Sequence, residues 1–234
     1  MQFAEKRKNC LCSQFWLSKV ADKYKNIVRE GVSNIKFVSV REYAGAKIIK
    51  DLTGRDVPVV VDPTLLLTKE NWQEIMEKPV WFKDEKYLLI FFLDEAPPKV
   101  KKLISGISQK YKLNVINLTD KENTDYYTSS PSEFLYLINN ASLIVTDSFH
   151  ASVFSILTKK PFISCTKGGT GMNIDSRIDT LLSMFHLENR KISKDNNYEI
   201  ANPMEIEFPD VEAILERERQ RSKEFLCKAL NIKG

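Results

Sequence analysis

Imidazole is the one side chain whose charge changes near neutral pH without help from its surroundings, and the chain holds two, His150 and His186. His150 lies in "ASLIVTDSFHASVFSILTKKPFIS", residues 141–164, where an apolar run ends in Thr-Asp-Ser and a helical pattern begins. In the first turn of a helix that follows a strand, a histidine can give a proton to a reacting or leaving group, or pair with a negative charge. The unpaired N–H groups and positive dipole end of such a helix favour a phosphate or carboxylate. Ser148 can cap the helix or offer its hydroxyl to that anion, while Asp147 can orient the imidazole or act as the cap. Arg41 reaches a comparable edge, directly after the apolar run "IKFVSV" at 35–40. Together these residues point to an anionic, phosphorylated ligand.

Other chemical motifs are set aside on spacing. Ser148 and His150 are too close on one helix for a catalytic triad, and no elbow glycines flank the serine. "KGGTG" at 167–171 lacks both the P-loop ending and the dinucleotide fingerprint, so it reads as a loop. His186 ends an amphipathic pattern and suits a charge partner at a helix C-terminus. "ERERQRSKE" (216–224) reads as a solvated helix face.

The positioning elements alternate. "IKFVSV" is a buried strand, followed by a helix over 42–52, a short strand "PVVVD" and a helix over 69–77. A second series runs from "KYLLIFFL" through a helix opened by Pro97 and Pro98 to the strand "LNVINL". "SPSE" at 130–133 is a capping box for the next helix. The strand Leu143–Thr146, a helix over 148–158 and the strand "PFIS" follow. Helices over 176–186 and roughly 210–230 complete the chain. This alternation predicts an α/β fold with doubly wound parallel sheets. Residues 66–234 are expected to form a complete C-terminal Rossmann-like domain with a terminal helix. Residues 1–65 are expected to be the closing part of a truncated N-terminal Rossmann-like domain, with too few strands to stand alone.

Composition excludes several classes. The formal charge is +4, with acidic and basic residues interspersed, so no nucleic-acid footprint is expected. The longest apolar run, Leu88–Leu93, is far too short to cross a bilayer, and the N-terminus has no signal-peptide pattern. Cysteines 10, 12, 165 and 227 suit neither a disulfide framework nor a metal cage. Free thiols in the cytoplasm, without metal or cofactor, are the expectation.

The segment around His150 resembles the signature of the polysaccharide pyruvyl transferase family: an apolar strand, Thr-Asp-Ser-Phe-His-Gly, an apolar helix and Lys-Pro-Phe. Ala151 stands where that family usually carries glycine. "FVSVRE", "VDPTLLLTKENW", "SPSEFLYLINNA", "SRIDTLLSMFHLENR" and "RSKEFLCKAL" resemble further family segments in the same order. The resemblance implies a glycosyltransferase-B-like fold and transfer of pyruvate from phosphoenolpyruvate to two sugar hydroxyls as a ketal. It also implies that His150 acts as the acid or on the leaving group, and that Arg41 binds phosphate or carboxylate across a cleft. Arg177 is a further candidate anion ligand, beside Ser148 and Asp147 as substrate-binding residues. The expected partners are phosphoenolpyruvate and a saccharide acceptor, free or lipid-linked, for a cytoplasmic protein that can lie against the inner face of the membrane or form oligomers. Two other readings stay open. One is a nucleotide-sugar glycosyltransferase, for which Glu133 or Asp175 would have to bind a ribose; the other is a non-catalytic, truncated family member.

Overall fold

Strands apolar on both faces must be covered on both faces, and that demand organises the computed structural model. It describes residues 9–13, 20–165 and 176–232. The elements are β1 (Asn9–Ser13), α1 (Asp22–Ser33), β2 (Phe37–Val40), α2 (Tyr43–Thr53), α3 (Lys69–Gln73), β3 (Tyr87–Phe91), α4 (Pro98–Tyr111) and β4 (Asn114–Asn117). They continue with α5 (Thr124–Tyr127), α6 (Pro131–Asn140), β5 (Leu143–Thr146), α7 (Phe149–Leu157), β6 (Phe162–Cys165), α8 (Ser176–Met184), β7 (Lys191–Ile192) and α9 (Val211–Leu230). Two compact units divide the chain: Met1–Leu66 with Gly169–Thr180 and Glu212–Gly234, and Leu67–Gly168 with Leu181–Val211.

The second unit holds a five-stranded sheet in the order β4-β3-β5-β6-β7, with every neighbouring pair parallel. Leu88, Leu143, Val145 and Ile163 face Val100, Ile104 and Ile107 of α4 in one buried cluster. The opposite face meets α6 and α7: Tyr87 Oη donates to Leu137 O at 2.5 Å, and the Ser152 and Ser164 hydroxyls lie 3.3 Å apart. Helices on both faces make a doubly wound sheet. Counted within the unit, the strands run second, first, third, fourth, fifth, so the winding reverses between β3 and β5. In such sheets the crevice at that reversal, beyond the strands' carboxyl ends, is where ligands bind.

The first unit pairs β1 with β2 in parallel and packs Val38, Val40 and Ile49 with neighbours from α1 and α2. The expected strand "PVVVD" is reduced to a single bridge between Val40 and Val59, because Pro63 opens a short 3₁₀ turn at once. α1 buries none of its residues, and Ile27 stays 67% exposed.

Three local expectations need correction. α3 stops at Gln73 rather than 77: Ile75 is exposed, and Glu77 N–H donates to Ser132 O instead of continuing the helix. The terminal helix, assigned above to 66–234, groups from Glu212 onward with the first unit. There Arg219 Nε donates to Leu65 O at 2.7 Å, and Val61 N–H donates to Ser222 Oγ at 3.2 Å. For the same reason "ERERQRSKE" is no solvated face throughout, since Glu218, Arg219 and Ser222 are buried. "KGGTG" and Asp175 lie outside the described residues.

Candidate functional site

β5 ends at Thr146, and its hydroxyl bridges two chain segments. It donates to Phe91 O at 2.5 Å and accepts from Ser148 N–H at 2.9 Å. Ser148 is then the N-cap of α7, its Oγ accepting from Ala151 N–H at 3.4 Å. Ala151 is fully buried, and a methyl group fits there within a regular helix. Of the two sequence options for the cap, Ser148 is therefore the one formed. Asp147 has another job: its Oδ1 accepts from Leu93 N–H at 2.7 Å, joining the chain beyond β3 to the chain beyond β5. That bond crosses the point where the winding reverses. His150 follows in the first turn of α7, exposed, its ring edge-on to Phe149 at 5.4 Å.

A cavity of about 430 Å³ opens at this crevice. Phe91, Phe134, Tyr126 and Tyr127 supply flat apolar walls, while Ser148 and His150 supply polar groups at one helix start. Its size falls in the usual range for small-ligand sites, and Ser129 and Ser130 add polar groups from the chain that opens α6. Ser130, also in the lining, caps α6 through the expected capping box. Ser130 N–H donates to Glu133 Oε2 at 2.7 Å, so the Glu133 carboxylate is engaged in holding a helix start rather than open to a ribose. Behind the crevice, burial and the nearby Asp147 charge push the Cys165 thiol well above its ordinary range. It is an inert core group.

The first unit gathers a second constellation. Arg41, just beyond β2, pairs through Nη1 with buried Asp62. Asp62 is itself fixed, its Oδ1 accepting from Thr64 N–H at 3.0 Å and Thr64 Oγ1 at 2.8 Å. The first turn of α8 is tied to the start of α2 by two bonds. Ser176 Oγ donates to buried Glu42 at 3.1 Å, and Tyr43 N–H donates to Thr180 Oγ1 at 3.2 Å. Those ties bring Arg177 beside Arg41. Burial, and next the Arg41 charge, lower the proton affinity of Arg177, while Glu42 and Asp62 raise it. Two guanidinium groups and two carboxylates thus share one neighbourhood. Spacing alone singles out neither Asp62 nor Glu42; the local signal for Asp62 is the Asp-Pro-Thr turn. Among the described residues no group of three or more His, Cys, Asp or Glu is placed to hold a metal ion. None of the described helices is long and apolar enough to cross a membrane.

The family model for polysaccharide pyruvyl transferase matches residues 7–166, more than half of the chain. The chain belongs to the polysaccharide pyruvyl transferase family. The matched stretch of this pyruvyl transferase family member contains Arg41, Asp62, Asp147, Ser148 and His150, and Arg177 lies beyond it. No curated protein matches the chain. Among solved structures, UDP-GlcNAc 2-epimerase from Methanocaldococcus jannaschii, in complex with UDP-GlcNAc and UDP, is similar over 84% of this chain at 14% identity and a TM-score of 0.40. The chain spans 62% of the length of that structure.

Proposed function

We propose that the chain transfers the pyruvyl group of phosphoenolpyruvate to two hydroxyls of a saccharide, forming a cyclic ketal and releasing phosphate. The observation that supports this reading is His150, exposed in the first turn of α7 at the switch-point cavity and inside the family-matched segment. A proton added to the methylene carbon makes the neighbouring carbon electrophilic, and the first sugar hydroxyl bonds there. The carbon–oxygen bond to phosphate then breaks as the second hydroxyl closes the ring. Of the two protons the hydroxyls lose, one balances the proton gained by the methyl carbon and one leaves with phosphate.

In this scheme His150 is the acid, acting on the methylene carbon or on the departing phosphate oxygen. The N–H groups opening α7 and the Ser148 hydroxyl stabilise the departing anion. The aromatic walls take the sugar ring, and Asp147 keeps the crevice in shape by its bond to Leu93. On their own unit, Arg41 and Arg177 are assigned to anion binding, held by Asp62 and Glu42. The acceptor is a free or lipid-linked saccharide, and the place of work is the cytoplasm.

The test pairs binding with turnover. Phosphoenolpyruvate at a hundredfold excess over its dissociation constant should stabilise the protein by about 2.7 kcal/mol in a melting experiment. With a saccharide panel present, phosphate release should coincide with the ketal methyl signal in NMR spectra. His150→Ala should slow both by about a hundredfold or more, at an unchanged melting temperature. Stabilisation by nucleotide sugars and none by phosphoenolpyruvate would favour the glycosyltransferase reading instead.

A further inference from the structure

A second cavity, of about 420 Å³, lies in the same unit and shares one wall residue with the first: Tyr126 lines both. Its flat surfaces are Trp81 and Phe82. The Trp81 ring sits 4.9 Å from that of Tyr126 and 6.2 Å from that of Phe82. Phe82 is held in turn by edge contacts to Tyr87 and Tyr136, so these platforms are fixed by packing. Around them stand Asn114, Glu85, Asp125 and Lys83, all exposed. Asn114 Nδ2 already donates to Glu85 Oε2, so this part of the rim is ordered.

Fixed aromatic faces inside a rim of amides and carboxylates suit a ligand with an apolar ring face and a perimeter of hydroxyls. That is a pyranose. Phosphorylated ligands suit it poorly, because two rim carboxylates outweigh the single lysine. Tyr126 lines both cavities, so an oligosaccharide laid across its ring would occupy both. We propose that this cavity is a second saccharide subsite. It holds residues of the acceptor chain next to the sugar that reacts at His150. The proposal rests on the saccharide-acceptor reading above and extends it: the acceptor is recognised as a chain.

The probes are neutral hexose saccharides from mono- to hexamer, added to the full chain and followed by saturation-transfer NMR and tryptophan fluorescence. Trp81→Ala should bind the longer oligomers roughly tenfold more weakly, the scale of a lost aromatic contact, with monosaccharide binding unchanged. Trp81 also packs internally, so Glu85→Ala combined with Asp125→Ala, both exposed, should give the same selective loss without a folding defect. Normal binding of long oligomers by both variants overturns the proposal. So does a panel in which no oligosaccharide binds, or one in which only an extended peptide perturbs the edge-strand amides of Val115 and Ile116. Long oligomers that bind through Trp81 without any pyruvyl transfer would uphold the subsite and sink the proposed reaction. Transfer that proceeds at a rate independent of acceptor length would do the reverse.

Discussion

Asp147→Asn separates two jobs that one carboxylate can hold. In the structure Asp147 Oδ1 accepts from Leu93 N–H at 2.7 Å and the residue is 8% exposed, so this oxygen joins the strand ends on either side of the crevice. Asparagine in the same rotamer keeps an acceptor and surrenders the charge. A hydrogen bond to a charged group nets about 1.5–3 kcal/mol, and a neutral one about 0.5–1.5. The exchange should therefore cost about 1 kcal/mol, somewhat less because a neutral amide is easier to bury. Asp147→Ala removes the acceptor and should cost about 2 kcal/mol. Urea titration will read both as lowered midpoints at constant slope. Turnover is the discriminating measurement. If Asp147 only joins the strand ends, the asparagine variant should keep the rate of the proposed phosphate release from phosphoenolpyruvate within about threefold. If the carboxylate sets the imidazole tautomer, the loss should approach the ten-thousandfold scale of an aspartate-to-asparagine change in a serine-protease triad, roughly 10⁴. A loss beyond about a hundredfold, with the urea midpoint lowered no further than that exchange predicts, would place Asp147 on His150 and refute this reasoning.

Two further outcomes follow from buried groups. Arg190 is 3% exposed and donates to the carbonyls of Phe162, Asn202, Pro203 and Glu205 at 2.8–3.2 Å; Arg190→Met should cost about 3 kcal/mol or more in urea titration, and Arg190→Lys should not restore it. The raised pKa of the Cys165 thiol means the folded chain keeps a proton that the unfolded chain loses above its ordinary value of 9.0. Stability from this group is full below that pH and declines as pH rises above it, by up to about 1.4 kcal/mol per unit. The Tyr87 phenol, pushed up by burial, adds the same sign from its ordinary value of 10.0. Cys165→Ala should flatten the decline between the two; an unchanged slope would count against a buried, protonated thiol.

What was legible in the sequence follows from the range of the forces involved. The capping box at Ser130 and Glu133, the proline opening α6, the strand β5 and the helix start at His150 are local events. Each is decided within a few residues by backbone hydrogen bonding and apolar periodicity. The switch point is different. Its place depends on β5 pairing with β3 rather than with β4, and the central strands β3, β5 and β6 are all buried on both faces, so none of them announces its neighbour. Asp147 illustrates the limit: one carboxylate can cap a helix, orient an imidazole or hold a distant N–H, and only the pairing of β3 with β5 brings Leu93 within reach. Arg177 and Arg41 were each visible as strand-end or helix-start cations, but their nearness comes from bonds between α8 and the start of α2 across more than a hundred positions. The terminal helix shows the opposite error. Its charged run looks solvated because periodicity weighs side chains against water, whereas Arg219 and Ser222 find their partners on the backbone at Leu65 and Val61. Tyr126 lies furthest from sequence reasoning. It sits on a four-residue helix too short to carry any periodicity, yet it is the one side chain that belongs to both cavities. A residue with no pattern of its own thus joins two cavities that sequence reading would treat separately, and the proposed reading of the acceptor as a chain turns on it.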